Sequence, residues 1–159
     1  MEIDVENGID IDKIMLEIKC LPEYETQLSL QSNVSGDGSE GRLSRVDQEK
    51  EFTTFVYDLP YTNYVLSTLK MYRCRLLNMM PKTCYTYHND PTMRIHIPLI
   101  TNKNCFFVVD DIVSRYPADG SYYLIDTTKK HTFVNASQDE RLHIVGCVGD
   151  VKDNWVPYR

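Results

Sequence analysis

The sequence has no apolar run near the roughly 20 residues that a membrane span needs, no basic run longer than Lys129-Lys130, and no C-x-x-C pair. The first absence argues against a membrane protein. The second, with a net charge of −6, argues against a nucleic-acid partner, because phosphate contacts need clustered Lys and Arg. The third, with an odd set of five cysteines (20, 74, 84, 105 and 147), points to reduced thiols and a cytoplasmic protein. Each cysteine reads as a small buried hydrophobe. The opening MEIDVENGIDID also lacks the basic-then-apolar layout of a signal peptide.

What is present suits one ordinary domain. The chain has 159 residues, of which 42% are apolar and 11% aromatic. That length buries a sizeable core without disulfides or a structural metal. Residues 1–50 read as polar N-terminal strands and a loop packing on a core formed by residues 51–159. Asp12 to Leu21 reads as a strand, with Ile14, Leu16 and Ile18 alternating against charged residues. A second alternation follows at Leu28 and Leu30, and SNVSGDGSEG (32–41) reads as a flexible connector. Leu59-Pro60 opens a short helix through Lys70, with Val65, Leu66 and Leu69 on its apolar face. Short strand-like runs then follow between turn signals: MYRCRLLNMM, TCYTYH, MRIHIPLI, CFFVV, SYYLID, HTFVN and RLHIVGCV. This rhythm predicts an all-β sandwich, jelly roll or barrel.

All four histidines fall between positions 88 and 143. In His88-Asn89-Asp90 an imidazole and a carboxylate two residues apart share one face of an extended segment. His131 opens a later strand, and two His with one carboxylate form the set that holds non-haem iron with open positions opposite. Ten residues on, Arg141 opens RLHIV. If HTFVN and RLHIV pair as a hairpin across ASQDE, Arg141 points into the same cavity. Its strand has no acid before Asp150, so an inward guanidinium there suits a small bound carboxylate. Arg94 and His96 share a face of MRIHIPLI by the same period-two logic. Arg73 and Arg75 reach either substrate or solvent, and Tyr85 and Tyr87 either line an entrance or pack across strands. His143 reads as structural, Asn135 as a turn residue, and Asp126 as a partner that orients a ligand.

The runs PKTCYTYHND (81–90), RIHIPL (94–99), GSYYLID (120–126), HTFVN (131–135) and RLHIV (141–145) resemble the catalytic domain of the aspartyl/asparaginyl β-hydroxylases, a branch of the Fe(II)- and 2-oxoglutarate-dependent oxygenases. The resemblance implies a mainly β fold, a double-stranded β-helix (cupin-like jelly roll) with one or two short helices. It implies Fe(II) held by His88, Asp90 and His131, and 2-oxoglutarate held by Arg141 with help from Arg94 and His96. The implied activity uses O2 to hydroxylate a free amino acid or an Asp, Asn or Pro side chain of a peptide, releasing succinate and CO2. The animal peptidyl-aspartyl members lack the carboxylate ligand, which this chain keeps as Asp90 in the manner of bacterial relatives. Two other classes compete: a catalytically silent cupin-like metal-binding module, and a metal-dependent isomerase or hydrolase with no need of Arg141.

Overall fold

The structure is a computed structural model that describes residues 8–36 and 46–150. Eleven strands and two α-helices occur among the described residues. Helix α1 (Ile11–Glu17) comes first, followed by β1 (Gln27–Ser29), β2 (Gln31–Ser32), a 3-10 turn (Val46–Glu51), β3 (Thr54–Phe55) and α2 (Pro60–Thr68). Eight strands then complete the chain: β4 (Tyr72–Met79), β5 (Thr83–Cys84), β6 (Met93–Ile100), β7 (Cys105–Val109), β8 (Ile112–Ser114), β9 (Tyr123–Ile125), β10 (His131–Asn135) and β11 (Arg141–Val148).

These eight strands, with β1, build two antiparallel sheets, ordered β1-β4-β11-β6-β9 and β5-β10-β7-β8. The chain steps from one sheet to the other at β4–β5, β5–β6, β6–β7, β8–β9, β9–β10 and β10–β11. That alternation winds a double-stranded β-helix, the jelly-roll plan of cupins. The fold is therefore the expected cupin-like one. It also separates two strands that the sequence reading paired. HTFVN lies in the small sheet beside β5 and β7, while RLHIVGCV lies in the large sheet between β4 and β6. ASQDE is a crossover between sheets, and Arg141 lies in the sheet opposite the one that carries His131.

Alternation, interrupted by a register shift in each of the β11 ladders, divides the large sheet into an apolar outer face and a polar inner one. Ile95, Ile97, Leu99, Cys74, Leu76, Leu142 and Ile144 belong to the core beneath the helices, where Ile14, Val65 and Leu66 are fully buried. The intervening Arg94, His96, Arg141 and His143 are buried as well, and they face the second cluster of Met79, Phe107, Ile125 and Phe133. Each strand thus supplies stability with one face and chemistry with the other.

The segment expected as a strand at 12–21 is α1 and a 3-10 turn (Ile18–Cys20). The Asp10 carboxylate accepts from the Lys13 amide at 2.9 Å, which caps the helix. Ile11, Ile14, Met15 and Ile18 then form a stripe at helical spacing on the core, leaving Leu16 67% exposed. Glu17, at the end of α1, accepts from the Tyr61 and Thr62 amides at 2.8 Å and caps α2 across the chain. Of the connector expected at 32–41, Ser32 closes β2, residues 33–36 form a turn, and the rest lies outside the described residues. Cys74, Cys105 and Cys147 are buried as expected, but Cys20 and Cys84 are exposed. Cys20 ends a surface turn, and Cys84 sits on the short outer strand β5, so neither has an apolar environment to enter.

Candidate metal centre and cleft

The short bridge between His88 and His131 sets the geometry of the site. Each donates its amide to the other's carbonyl, at 3.0 and 2.7 Å, which holds both side chains on one side of the ladder. Asp90 is held two residues on, its amide donating to the Thr127 carbonyl at 2.8 Å. Each imidazole is also oriented by the backbone. Nδ1 of His88 donates to the Thr86 carbonyl at 2.6 Å, and Nδ1 of His131 donates to the Lys129 carbonyl at 2.9 Å. A neutral ring that donates from Nδ1 presents a lone pair at Nε2. The two Nε2 atoms lie 3.8 and 3.7 Å from the Asp90 carboxylate, and His131 Nε2 is buried without a hydrogen-bond partner among the described residues.

Burial holds the His131 pKa below the ordinary value despite the nearby Asp90, so the ring stays neutral. Two lone pairs and a carboxylate within 4.8 Å of one another form a three-atom donor set suited to a divalent metal. The orphaned Nε2 is the observation that makes the fit specific. A buried acceptor needs a partner, and a metal supplies one.

A third layer, which the sequence reading missed, holds the carboxylate. Arg94 Nε reaches Asp90 Oδ2 at 3.4 Å, Nη2 donates to Glu49 Oε1 at 2.9 Å, and Nη1 donates to the Thr92 hydroxyl. Glu49, only 2% exposed, also accepts from Arg73 Nη1 at 2.6 Å and from the Thr92 hydroxyl at 3.1 Å. Burial opposes the charge on Arg94, but Cys147 and the Asp90 and Glu49 carboxylates together outweigh it and raise its pKa. Arg73 adopts φ +50° at an irregularity in the β4–β11 ladder, and its amide donates to the Phe52 carbonyl at 2.8 Å. This carries its side chain to Glu49 instead of solvent. The clue in the sequence was the count of cations. Arginines at 73, 75 and 94 have no acid on their own strands, so one had to arrive from elsewhere.

Arg141 is 2% exposed, and no carboxylate forms a salt bridge with it among the described residues. Its Nε donates to His143 Nε2 at 3.0 Å, Nη1 touches the Met79 sulfur at 3.2 Å, and its carbon lies 5.1 Å from the centre of the Phe107 ring. Burial pulls its pKa down to about 10. Its Nη2 also lies 3.0 Å from His143 Nδ1, so the guanidinium contacts both ring nitrogens of His143. His143 Nδ1 in turn lies 3.3 Å from His96 Nδ1. His96 Nε2 is buried and has no hydrogen-bond partner among the described residues.

His88, Asp90, Arg94 and His96 all line a cleft of about 550 Å3, together with Arg75, Met79, Tyr85 and Phe133. Tyr85 packs edge-on against Phe133 at 5.6 Å, whereas Tyr87 is turned to Asp111 at 3.0 Å. His143 stands behind the wall with Arg141, buried and hydrogen-bonded. Asn135 pins the crossover, donating to the Met79 and Asp139 carbonyls and accepting from Ser137. Asp126 accepts from the Thr128 hydroxyl, while the Lys129 carbonyl orients His131.

The family model described as aspartyl/asparaginyl beta-hydroxylase matches residues 13–148. The chain belongs to this family. No curated protein matches it. Among solved structures, a cupin 2 conserved barrel domain protein from Salinispora arenicola matches at 15% identity and TM-score 0.38, over 45% of this chain and 58% of that one. The DMSP lyase DddQ from Ruegeria pomeroyi matches at 16% identity and TM-score 0.42, over 54% of this chain and 41% of that one. This member of the hydroxylase family thus spans about half the length of those structures. No helix among its described residues is long and apolar enough to cross a membrane.

The buried imidazoles predict acid sensitivity. Burial holds His96 and His143 well below the ordinary value, with Arg141 adding to it, and holds His131 below it too. Below about pH 6.5 the unfolded chain takes up protons that the folded chain refuses, so stability falls as pH drops. Each histidine contributes a slope of up to about 1.4 kcal/mol per pH unit between its folded and unfolded values. Urea titrations of metal-free protein from pH 7.5 to 5 check this, and a flat profile contradicts it.

Proposed function

We propose that this chain is an Fe(II)- and 2-oxoglutarate-dependent dioxygenase that hydroxylates an amino acid, or an Asp, Asn or Pro side chain of a peptide, releasing succinate and CO2. The observation that carries the reading is the convergence of two Nε2 lone pairs and one carboxylate, with His131 Nε2 buried and unpartnered. Family membership supports the hydroxylase class. His88, Asp90 and His131 would hold the metal. Bound there, iron with 2-oxoglutarate and O2 would supply the oxidising power for inserting a hydroxyl group.

The remaining work belongs to the chain's own residues. Arg141, a buried cation whose partners are a neutral histidine, a thioether and ring faces, suits the distal carboxylate of the cosubstrate. Met79, which lines the cleft and touches this guanidinium, has the flexibility to yield to a stronger acceptor. His96 brings a buried, unpartnered Nε2 to the cleft wall, and Arg94 keeps the Asp90 carboxylate oriented. Phe133, backed by Phe107, gives the cleft an apolar wall on the opposite sheet.

Anaerobic addition of Fe(II) and 2-oxoglutarate to the purified protein is expected to produce a visible metal-to-cosubstrate charge-transfer band. His131→Ala is expected to abolish it, since two donors no longer hold the ion. Absence of the band in wild type, or an undiminished band in the variant, overturns the reading.

A further inference from the structure

β4 sends two arginines into the cleft, and their surroundings differ. Arg73 ends on Glu49. Among the described residues Arg75 has no such partner: its one side-chain hydrogen bond there runs from Nη1 to the Gln27 side-chain carbonyl on β1, at 3.1 Å. Its Nε is buried without an acceptor among them. Burial, with Arg73 adding to it, lowers its pKa to about 10.

The charges around the cleft explain why this matters. Four arginines (73, 75, 94 and 141) stand against two carboxylates, Glu49 and Asp90, which are used by Arg73, Arg94 and the metal set. Among the described residues Arg75 and Arg141 are left over, Arg75 on the cleft wall and Arg141 behind it. Arg141 pairs in register with Met79 at one end of β4, and Arg75 lies four residues along that strand, beside Gln27 and Thr26. Four residues of strand are about 13 Å. A guanidinium held by a neutral amide in a polar cleft is an anion receptor missing its anion.

We propose that Arg75, steadied by Gln27, anchors a carboxylate of the primary substrate, so that the substrate is an acid: a free amino acid held by its α-carboxylate, or an aspartyl side chain. The identity of that anion as substrate rests on the hydroxylase reading. The anion site itself rests on Arg75 and Gln27. An asparaginyl amide or a prolyl residue within a peptide offers Arg75 no charge, so these fall outside the substrate class.

The test is a binding measurement on the full chain, made both metal-free and with Zn(II) and 2-oxoglutarate, using arginine side-chain NMR and calorimetry. The probes are L-proline against L-prolinamide for an α-carboxylate, and N-acetyl-L-aspartic acid α-amide against N-acetyl-L-asparagine amide for a side-chain carboxylate. One acid is expected to bind at least tenfold more tightly than its amide, a difference of about 1.4 kcal/mol. Arg75→Gln is expected to erase that difference, and Arg75→Lys to restore part of it. Gln27→Ala, a change on a half-exposed strand, is expected to weaken the acid less than Arg75→Gln does, and it keeps the test open if Arg75 variants fold poorly. The idea is overturned if acid and amide bind alike in both forms, if none of the four binds, or if the acid's advantage survives in both Arg75→Gln and Gln27→Ala. It is also overturned if Arg75→Gln weakens 2-oxoglutarate tenfold and spares the acid, which would make Arg75 a cosubstrate residue. Failure of the zinc form to bind 2-oxoglutarate counts against the dioxygenase reading alone, because the metal-free form still compares acid with amide.

Discussion

Replacing Arg141 by Met is expected to stabilise the ligand-free protein and, in the same molecule, to remove its hold on 2-oxoglutarate. Arg141 is buried against His143, Met79 and two aromatic rings, with no carboxylate to offset its desolvation. Burial lowers its pKa to about 10, so the folded state works against the charge and removing it is favourable. Methionine fills the same space without charge, and replacing buried ionic groups by apolar side chains of similar volume ranges from neutral to stabilising by about 1–4 kcal/mol. Truncating one member of a buried charge pair costs about 2–5 kcal/mol in binding, so 2-oxoglutarate should weaken roughly thirtyfold or more. Denaturant unfolding without ligand and calorimetry with it give the two numbers. A variant that loses both stability and cosubstrate would mean that the neutral partners already satisfy the guanidinium.

Glu49→Gln is expected to do the opposite, damaging the fold and the metal site together. Glu49 is the shared counter-ion of Arg73 and Arg94, almost wholly removed from water. Removing one partner of a buried ion pair destabilises by about 3–5 kcal/mol. Arg94 would then turn further toward Asp90, the one carboxylate left beside it, and compete with the metal for its oxygens. Changes of this kind beyond the direct ligands typically cost about 10–100-fold in metal affinity. Competition against a chromophoric chelator measures the affinity, and thermal unfolding of the metal-free protein measures the fold. Unchanged metal affinity in a correctly folded variant would show that Asp90 is held by its backbone amide alone.

The parts legible in the sequence were those that short-range rules govern. His88 and Asp90 share a face because they are two residues apart in an extended segment, and alternation along RIHIPL and RLHIV turns the polar residues inward. The parts that were not legible depend on distant partners. Ile14, Leu16 and Ile18 satisfy a period of two, yet Ile11, Ile14, Met15 and Ile18 satisfy the helical period. The Asp10 cap and the core beneath decide between them. ASQDE has the composition of a hairpin turn, and only the strand order of both sheets reveals a crossover. Glu49 sits in a run of charged residues, RVDQEKE, with no pattern to distinguish it from solvated neighbours.

That last residue joins two properties usually measured apart. The 3-10 turn (Val46–Glu51) docks on the large sheet through a side chain that also steadies the metal's carboxylate. By linkage, whatever the docked turn adds to metal affinity, bound metal must return as an equal bias toward docking. Hydrogen exchange at the Phe52 and Arg73 amides, both bonded within this junction, should therefore slow on metal addition, although neither residue touches the ion. On the proposed function, the metal site is in this sense a clasp that closes the Val46–Glu51 turn onto the barrel.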